Sequence, residues 1–268
     1  MRRALIAALL ALAARPARAE QCHGWSGTTW RSPGVVAGVR VDAAGYRNTS
    51  YTGNFEGLAP ILGYTHPRLS VQATMPAYRI VRNGLAHTGI GDLQLATRVP
   101  LTPWSHHALT AGLGVAASFP TGSADHGLGM GHVMLMPEFW WVVTRERVQL
   151  YGAAGFGRAL SSHAGSHHHG GPAPIVNPMN QAEVGASLGA QLRVHRLLWL
   201  RFNAWGAMPV GTVNAAGVTR VVAAQGLVLS LKKFDLALEL QAPLTGSPFL
   251  ARGVLQATWR FDVGRRRG

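Results

Sequence analysis

The chain has 268 residues, a formal net charge of +14 and a single cysteine. A lone cysteine cannot form an internal disulfide, which excludes a disulfide-stapled fold. Hydrophobic residues make up 47% of the chain and charged residues only 13%, and so low a charged fraction is unusual for a soluble domain.

Residues 1–19 have the pattern of a secretory signal peptide. The segment opens on the basic MRR, continues through the apolar run Ala4–Ala14 and ends on an A-x-A cleavage pattern at 17–19. The apolar run is too short to span a bilayer as an anchor helix. We therefore expect export and cleavage, and export argues against a nucleic-acid partner for this basic chain.

The exported chain divides into three parts. Residues 20–34 are polar and rich in Gly, Ser and Thr, and we assign them to a periplasmic segment ahead of the first strand. Residues 35–263 alternate apolar and polar side chains with the two-residue period of β-strands. They contain no apolar run long enough for a membrane helix. Residues 264–268 are a basic tail, which we expect to lie solvated near anionic lipid headgroups.

Twelve strands are predicted, each with one apolar and one polar face. Their ranges are Val35–Ala44, Leu58–Tyr64, Leu69–Val81, Gly89–Leu101, Leu109–Phe119, Val133–Thr144, Val148–Leu160, Gln181–Val194, Leu197–Met208, Val218–Leu231, Phe234–Ala242 and Phe249–Val263. In the fourth strand Leu95 and Val99 share one face, whereas Asp92 and Arg98 share the other. The polar face of the fifth strand carries small residues, which suggests that something passes close to it.

The connections alternate between long loops and short turns along the chain. The short ones are Thr65–Arg68, Thr102–His106, Arg145–Arg147, His195–Arg196 and Lys232–Lys233. An even strand number with short periplasmic turns and longer outer loops is typical of bacterial outer-membrane barrels. We therefore predict an all-β, transmembrane antiparallel β-barrel with up-and-down topology in the bacterial outer membrane. A soluble lipocalin-like barrel, with its apolar face inward, is the alternative fold.

In the membrane orientation the apolar faces contact lipid and the polar faces line the lumen. The charged residues predicted to line the lumen are Arg40, Asp42, Asp92, Arg98, Glu138, Glu183, Arg193, Arg201, Arg220, Asp235, Glu239, Arg252 and Arg260. Both signs are present, so these residues either pair as a salt-bridged interior or form a charged lining that selects solutes. The sequence leaves both interpretations open.

Four histidines lie in the longest loop, between the seventh and eighth strands. They are His163, His167, His168 and His169. Imidazoles clustered on a loop can chelate Zn, Cu or Ni, so a divalent transition metal is one hypothesis for this loop. No cysteine or acidic residue completes the set, and the spacing fits no structural zinc site. A solvated low-complexity loop is the alternative, and no other cofactor is expected.

An enzyme is the rival functional class, because some twelve-stranded outer-membrane barrels are lipases. Ser161 and Ser162 precede His163 directly, and a serine nucleophile needs a histidine within hydrogen-bond reach. The three residues lie in a loop and lack the glycine-framed turn of soluble hydrolases. We therefore expect no enzymatic activity.

Two motifs resemble those of a known family. They are GIGDLQLATRVPL at Gly89–Leu101 and LGVAASFPTGSADHGLGMG at Leu113–Gly131. Together they resemble the outer-membrane barrel family of the MetA pathway of phenol degradation, whose members show a GxGDL strand and then a strand ending in a PTG loop. This chain departs from the pattern by ending in Val263 and a basic tail instead of a terminal aromatic residue.

The resemblance implies an outer-membrane transporter or channel. We predict passage of small solutes, aromatic or hydrophobic compounds among them, with outer-membrane lipid and the barrel-assembly machinery as partners. The alternative function is a metal-binding or structural barrel that has a His-rich surface loop and conducts nothing.

Overall fold

The structure is a computed structural model, and it describes residues 33–47, 52–101, 109–160, 179–211, 218–246 and 249–263. The predicted signal peptide, nearly all of the segment 20–34 and the tail 264–268 lie outside the described residues. The four histidines of the longest loop do so as well. In the described part, no helix is long and apolar enough to cross a membrane.

The described residues form fourteen β-segments of one antiparallel sheet. The segments are β1 (Gly34–Arg47), β2 (Thr52–His66), β3 (Leu69–Thr74), β4 (Ala77–Arg82), β5 (Leu85–Ile90), β6 (Leu93–Pro100), β7 (Leu109–Phe119), β8 (Met134–Arg145), β9 (Val148–Ala159), β10 (Ala182–Arg193), β11 (Leu198–Pro209), β12 (Arg220–Ser230), β13 (Phe234–Thr245) and β14 (Ala251–Asp262). The first segment, β1, pairs with both β2 and β14, so the sheet closes on itself.

Two of the barrel strands are interrupted, which is why fourteen segments make twelve strands. Strand β2 pairs with β3 along one half and with β4 along the other, so β3 and β4 form one strand broken at Met75 and Pro76. The facing segments β6 and β5 form the next strand, broken at Gly91 and Asp92. Pro76 has no N–H to donate to the ladder. On the β5–β6 side the three residues Gly91–Leu93 lie opposite the two residues Met75 and Pro76, so that strand has a one-residue bulge. The prediction of a closed twelve-stranded antiparallel barrel is confirmed.

The outer surface of the barrel is apolar. Its large exposed side chains include Leu58, Leu62, Leu113, Phe139, Leu150, Leu188, Phe202, Leu238 and Leu255. At the end of the barrel that carries the short turns, Trp259 lies 5.0 Å from Phe234, measured between ring centroids, and aromatic pairs at this level are typical of the membrane interface. A closed sheet pairs its backbone groups internally, so this surface is suited to lipid. The chain is a protein of the bacterial outer membrane, as predicted.

The structure corrects two of the predicted outer loops. The predicted loop over Arg82–Thr88 is wrong: β4 and β5 form a tight hairpin that turns at Asn83 and Gly84, both with positive φ. Asn-Gly is the preferred pair for such a turn. The predicted loop over Gly45–Gly57 is shorter than expected, because β1 and β2 extend into it. The outward residues of these extensions, such as Arg47, Asn54 and Glu56, are polar and exposed, so the apolar outer face ends before the strand does.

Candidate functional site: the barrel lumen

The inward face of the barrel carries buried polar and charged side chains. Among the residues assigned to the lumen from sequence, the buried ones are Arg40, Asp42, Asp92, Arg98, Glu183, Arg201, Arg220, Asp235 and Glu239. The partly buried ones are Glu138, Arg193, Arg252 and Arg260. Each lies on the polar face of its strand except Asp92, which lies in the break between β5 and β6. Buried charges are tolerated only when they are paired or hydrogen-bonded, so their partners define the lumen.

Ion pairs between arginines and carboxylates run along the inner wall. The nitrogen–oxygen distances are 2.7 Å for Arg98–Glu138, 2.7 Å for Arg220–Glu183, 3.2 Å for Arg260–Asp235 and 3.7 Å for Arg201–Glu239. Arg252 pairs with Asp42 in the same way. The structure therefore brings together most of the charged residues that the sequence assigned to the lumen.

Two of these pairs reach across an intervening strand at a glycine. Arg98 on β6 and Glu138 on β8 meet over Gly114 of β7, where an added Cβ would come within 2.8 Å of the Glu138 carboxylate. Arg201 on β11 and Glu239 on β13 meet over Gly226 of β12 in the same way. The small residues on the polar face of β7 thus leave room for an ion pair. Gly114 fits there because the side chains of Arg98 and Glu138 approach its backbone closely, and not because its backbone conformation demands glycine.

Glu183 gathers the ends of two outer loops. Its carboxylate accepts hydrogen bonds from the backbone N and side-chain Nδ2 of Asn180, at 2.9 and 2.8 Å, in addition to the Arg220 guanidinium. The Asn180 side-chain oxygen accepts the Val218 amide at 3.0 Å. A charged acceptor with several donors is a strong anchor, so this cluster fixes where the chain enters β10 and β12.

The loop after β7 folds against the bulge at Asp92, and we call Pro120–Val133 the inner loop. The Asp92 carboxylate accepts the backbone amides of Gly122 at 3.1 Å and Met130 at 2.7 Å. Thr121 donates its hydroxyl to Gly91 O at 2.7 Å and accepts the Leu93 amide at 2.8 Å. Asp92 therefore holds the inner loop to the wall, a role that its predicted position on a polar strand face does not reveal.

An apolar cluster fills the lumen near the long loops. Its members are Ala44, Tyr46, Phe55, Tyr78, Ile80, Leu128, Val222 and Phe249, with Trp205 packed against them. Leu128 comes from the inner loop and is only 4% exposed. The loop therefore contributes one buried apolar side chain to a cluster that otherwise consists of strand residues and Phe249. The period of the strands predicts which residues face inward, but it does not predict Leu128, because the loop has no period.

A cavity of about 880 Å³ lies beside this cluster. The cavity is lined by β1, β2 and β11–β14. Each of these strands contributes one inward-facing residue and the residues next to it in the chain. The inward residues are Ala44, Phe55, Asn203, Ala224, Gln241 and Arg252. Small-molecule sites have volumes of about 300–1,000 Å³, with mostly apolar walls and a few polar groups. This part of the lumen has the size and composition to hold one small solute.

The predicted metal site and the rival serine site cannot be placed, since 161–178 lies outside the described residues. Among the residues that are described, no group of three or more His, Cys, Asp or Glu side chains is arranged to hold a metal ion. His87 of β5 and His126 of the inner loop stack with ring centroids 4.3 Å apart. The Ser123 hydroxyl lies 3.1 Å from Nδ1 of His126, within hydrogen-bond distance. This stack attaches the inner loop to the inward face of β5, because His87 lies opposite Ile80 of the apolar cluster.

No family model matches the chain, and no curated protein matches it. The resemblance to the family of the MetA pathway therefore stays a prediction.

Solved structures match over most of the chain. An outer membrane channel from Pseudomonas putida F1 superposes with a TM-score of 0.67 at 15% identity, covering 87% of this chain and 97% of that chain. The translocator domain of the autotransporter NalP from Neisseria meningitidis has a TM-score of 0.47 at 13% identity, covering 87% and 90%. The CymD monoaromatic hydrocarbon channel has a TM-score of 0.40 at 10% identity, also covering 87% and 90%. At such identities, the first superposition shows a shared outer-membrane barrel fold and nothing about substrate.

Proposed function

We propose that this barrel is an outer-membrane channel or transporter for small solutes. The observation that carries the proposal is the lumen cavity of about 880 Å³ inside a wall that is apolar outside and polar inside. A purely structural barrel gains nothing from an internal cavity, because filling it with side chains would stabilise the fold. A polar inner wall around a space of this size is suited to a solute in transit.

Aromatic or hydrophobic compounds are the proposed solutes. The part of the lumen near the long loops is lined by Tyr46, Phe55 and Tyr78, with the Phe55 and Tyr78 rings edge to face at 6.0 Å. Such walls bind flat or apolar bodies by dispersion and aromatic contacts. Leu128 of the inner loop is buried in the same cluster, so passage involves movement of the inner loop or of the solute around it.

The alternative is a barrel that conducts nothing and has a structural or metal-binding role. The observation that favours it is the ion-pair network, since five arginine–carboxylate pairs occupy inner-wall positions. Paired charges inside a barrel stabilise it and narrow the lumen at the same time. Support for a catalytic role is limited to the proximity of Ser161, Ser162 and His163 along the sequence and to the contact between Ser123 and His126.

Solute uptake into liposomes tests the proposal. Purified barrel is reconstituted into vesicles, and uptake of a small aromatic solute and of a neutral sugar is compared with that of empty vesicles. We expect uptake of the aromatic solute to depend on the protein and to increase when the inner loop is loosened. Equal uptake with and without protein, for both solutes, would contradict a transport role. The same proposal includes two partners: outer-membrane lipid around the barrel and the barrel-assembly machinery that inserts it.

A further inference from the structure

A small polar cluster lies at the edge of the lumen cavity. Arg252 of β14 pairs with Asp42 of β1, and Arg40, two residues before Asp42, hydrogen-bonds the Tyr78 hydroxyl. Asp42 is 1% exposed and Arg40 is 7% exposed. Two guanidinium groups and one carboxylate therefore lie close together at the edge of the cavity.

Arg252 joins this cluster to the apolar wall. Its guanidinium carbon lies 5.8 Å from the centroid of the Phe55 ring, and both residues line the cavity. On the same wall stand Ala44 and Ala224, which present only methyl groups. One side of the cavity is therefore cationic, and the surface next to it is apolar and aromatic.

One donor at this wall, Arg252 Nε, has no hydrogen-bond acceptor within the described structure, and its residue lines the cavity. Buried donors are normally satisfied, and an orphaned donor costs free energy. A ligand that brings a negative, hydrogen-bonding group to Arg252 would satisfy this donor with a charge-assisted hydrogen bond.

We propose that the cavity binds amphipathic monoanions, namely carboxylates with an aromatic or aliphatic body. The carboxylate contacts Arg252 and the positive field of Arg40, and the apolar body lies on Phe55, Ala44 and Ala224. Guanidinium groups suit this role because their planar donors match the geometry of a carboxylate. The inference rests on the proposed function, since it names the solute class of the same lumen.

Binding to the purified barrel in neutral detergent is the direct test. The probes are 4-phenylbutyrate and its neutral amide, which share an apolar body and differ in the charged group. We expect wild-type barrel to bind the carboxylate more tightly than the amide, by about tenfold for one charge-assisted contact. We expect Arg252→Gln to lower the affinity for the carboxylate to that for the amide, so that the preference is lost.

Arg260→Gln is the matched control, since Arg260 lies on the same strand and pairs with a carboxylate of the neighbouring strand. It should keep the preference for the carboxylate. Asp42→Asn removes the acid that competes for Arg252, so it should strengthen carboxylate binding, a gain that misfolding cannot produce. Equal binding of both probes by wild type, an equal loss in both arginine variants, or no gain in Asp42→Asn would overturn the proposal.

Reconstituted vesicles separate this inference from the proposed function. Uptake of both probes at equal rates supports a channel and contradicts anion selection. Uptake of neither probe, together with preferential binding of the carboxylate, contradicts the channel and leaves the anion site supported.

Discussion

Asp92→Ala should release the inner loop without unfolding the barrel. The carboxylate holds two loop amides, those of Gly122 and Met130, and no ladder hydrogen bond of the sheet depends on it. The substitution removes both acceptors and leaves the two amides without their partner. The loop then moves away from the wall, and Leu128 leaves the apolar cluster.

The size of the effect on loop opening follows from the two hydrogen bonds that Asp92 accepts. A hydrogen bond to a charged group contributes about 1.5–3 kcal/mol, so two such bonds contribute about 3–6 kcal/mol to holding the loop. Because about 1.4 kcal/mol corresponds to a factor of ten, the loop should open at least about a hundredfold more often in the variant. Gly129→Ala should act in the same direction, because its Cβ would overlap the Asp92 carboxylate.

Hydrogen exchange of the inner loop measures the release. The amides of Gly127 and Leu128 donate within the loop, each at 2.9 Å, and report its opening. We expect faster exchange at both in Asp92→Ala, with the strands unchanged and with larger single-channel conductance. Asp125→Asn, an exposed substitution in the same loop, is the control and should alter neither. Unchanged exchange and conductance in Asp92→Ala would refute the reasoning.

Three further predictions concern the wall, the lipid face and the outer loop. Arg220→Met leaves Glu183 buried without its cation and should cost about 3–5 kcal/mol of stability, measured as a lower unfolding temperature. The control Arg79→Met breaks an exposed ion pair and should cost about 0–1 kcal/mol. Equal shifts in unfolding temperature would contradict the burial argument. Leu188→Arg puts a charge on the lipid face and should cost about 2–4 kcal/mol in a bilayer refolding titration, so a neutral result would contradict the assigned orientation. Replacing the four histidines of 163–169 by alanine should abolish Zn, Cu or Ni binding in a metal titration, and equal affinity in both proteins would remove the metal hypothesis.

The strand faces were predictable from sequence because their signal is local. Alternation places Val41 outside and Asp42 inside whatever the partner strand is, and the same holds for Leu238 and Glu239. Parity therefore predicts the lumen residues strand by strand. The closed barrel follows from the apolar exterior and the alternating loop lengths.

Partners and loops were not predictable, because they depend on register and on segments without a period. Arg98 meets Glu138 only because β7 sets Gly114 between them, and no local pattern encodes that distance. The anchoring of the inner loop by Asp92 needs a bulge opposite Pro76, and that bulge arises from two strands together. The NG pair at Asn83 and Gly84 was the available signal for the β4–β5 hairpin.

Single-channel recording in a planar bilayer tests the central claim, passage of solutes through the lumen, most directly. Purified wild-type barrel is added on one side of a bilayer under an applied voltage, and heat-denatured protein serves as the control. We expect discrete conductance steps with wild type and larger steps with Asp92→Ala, since the variant releases Leu128 from the apolar cluster in the lumen. A bilayer that stays silent with both folded proteins, after insertion has been verified, would contradict the channel and favour a structural barrel.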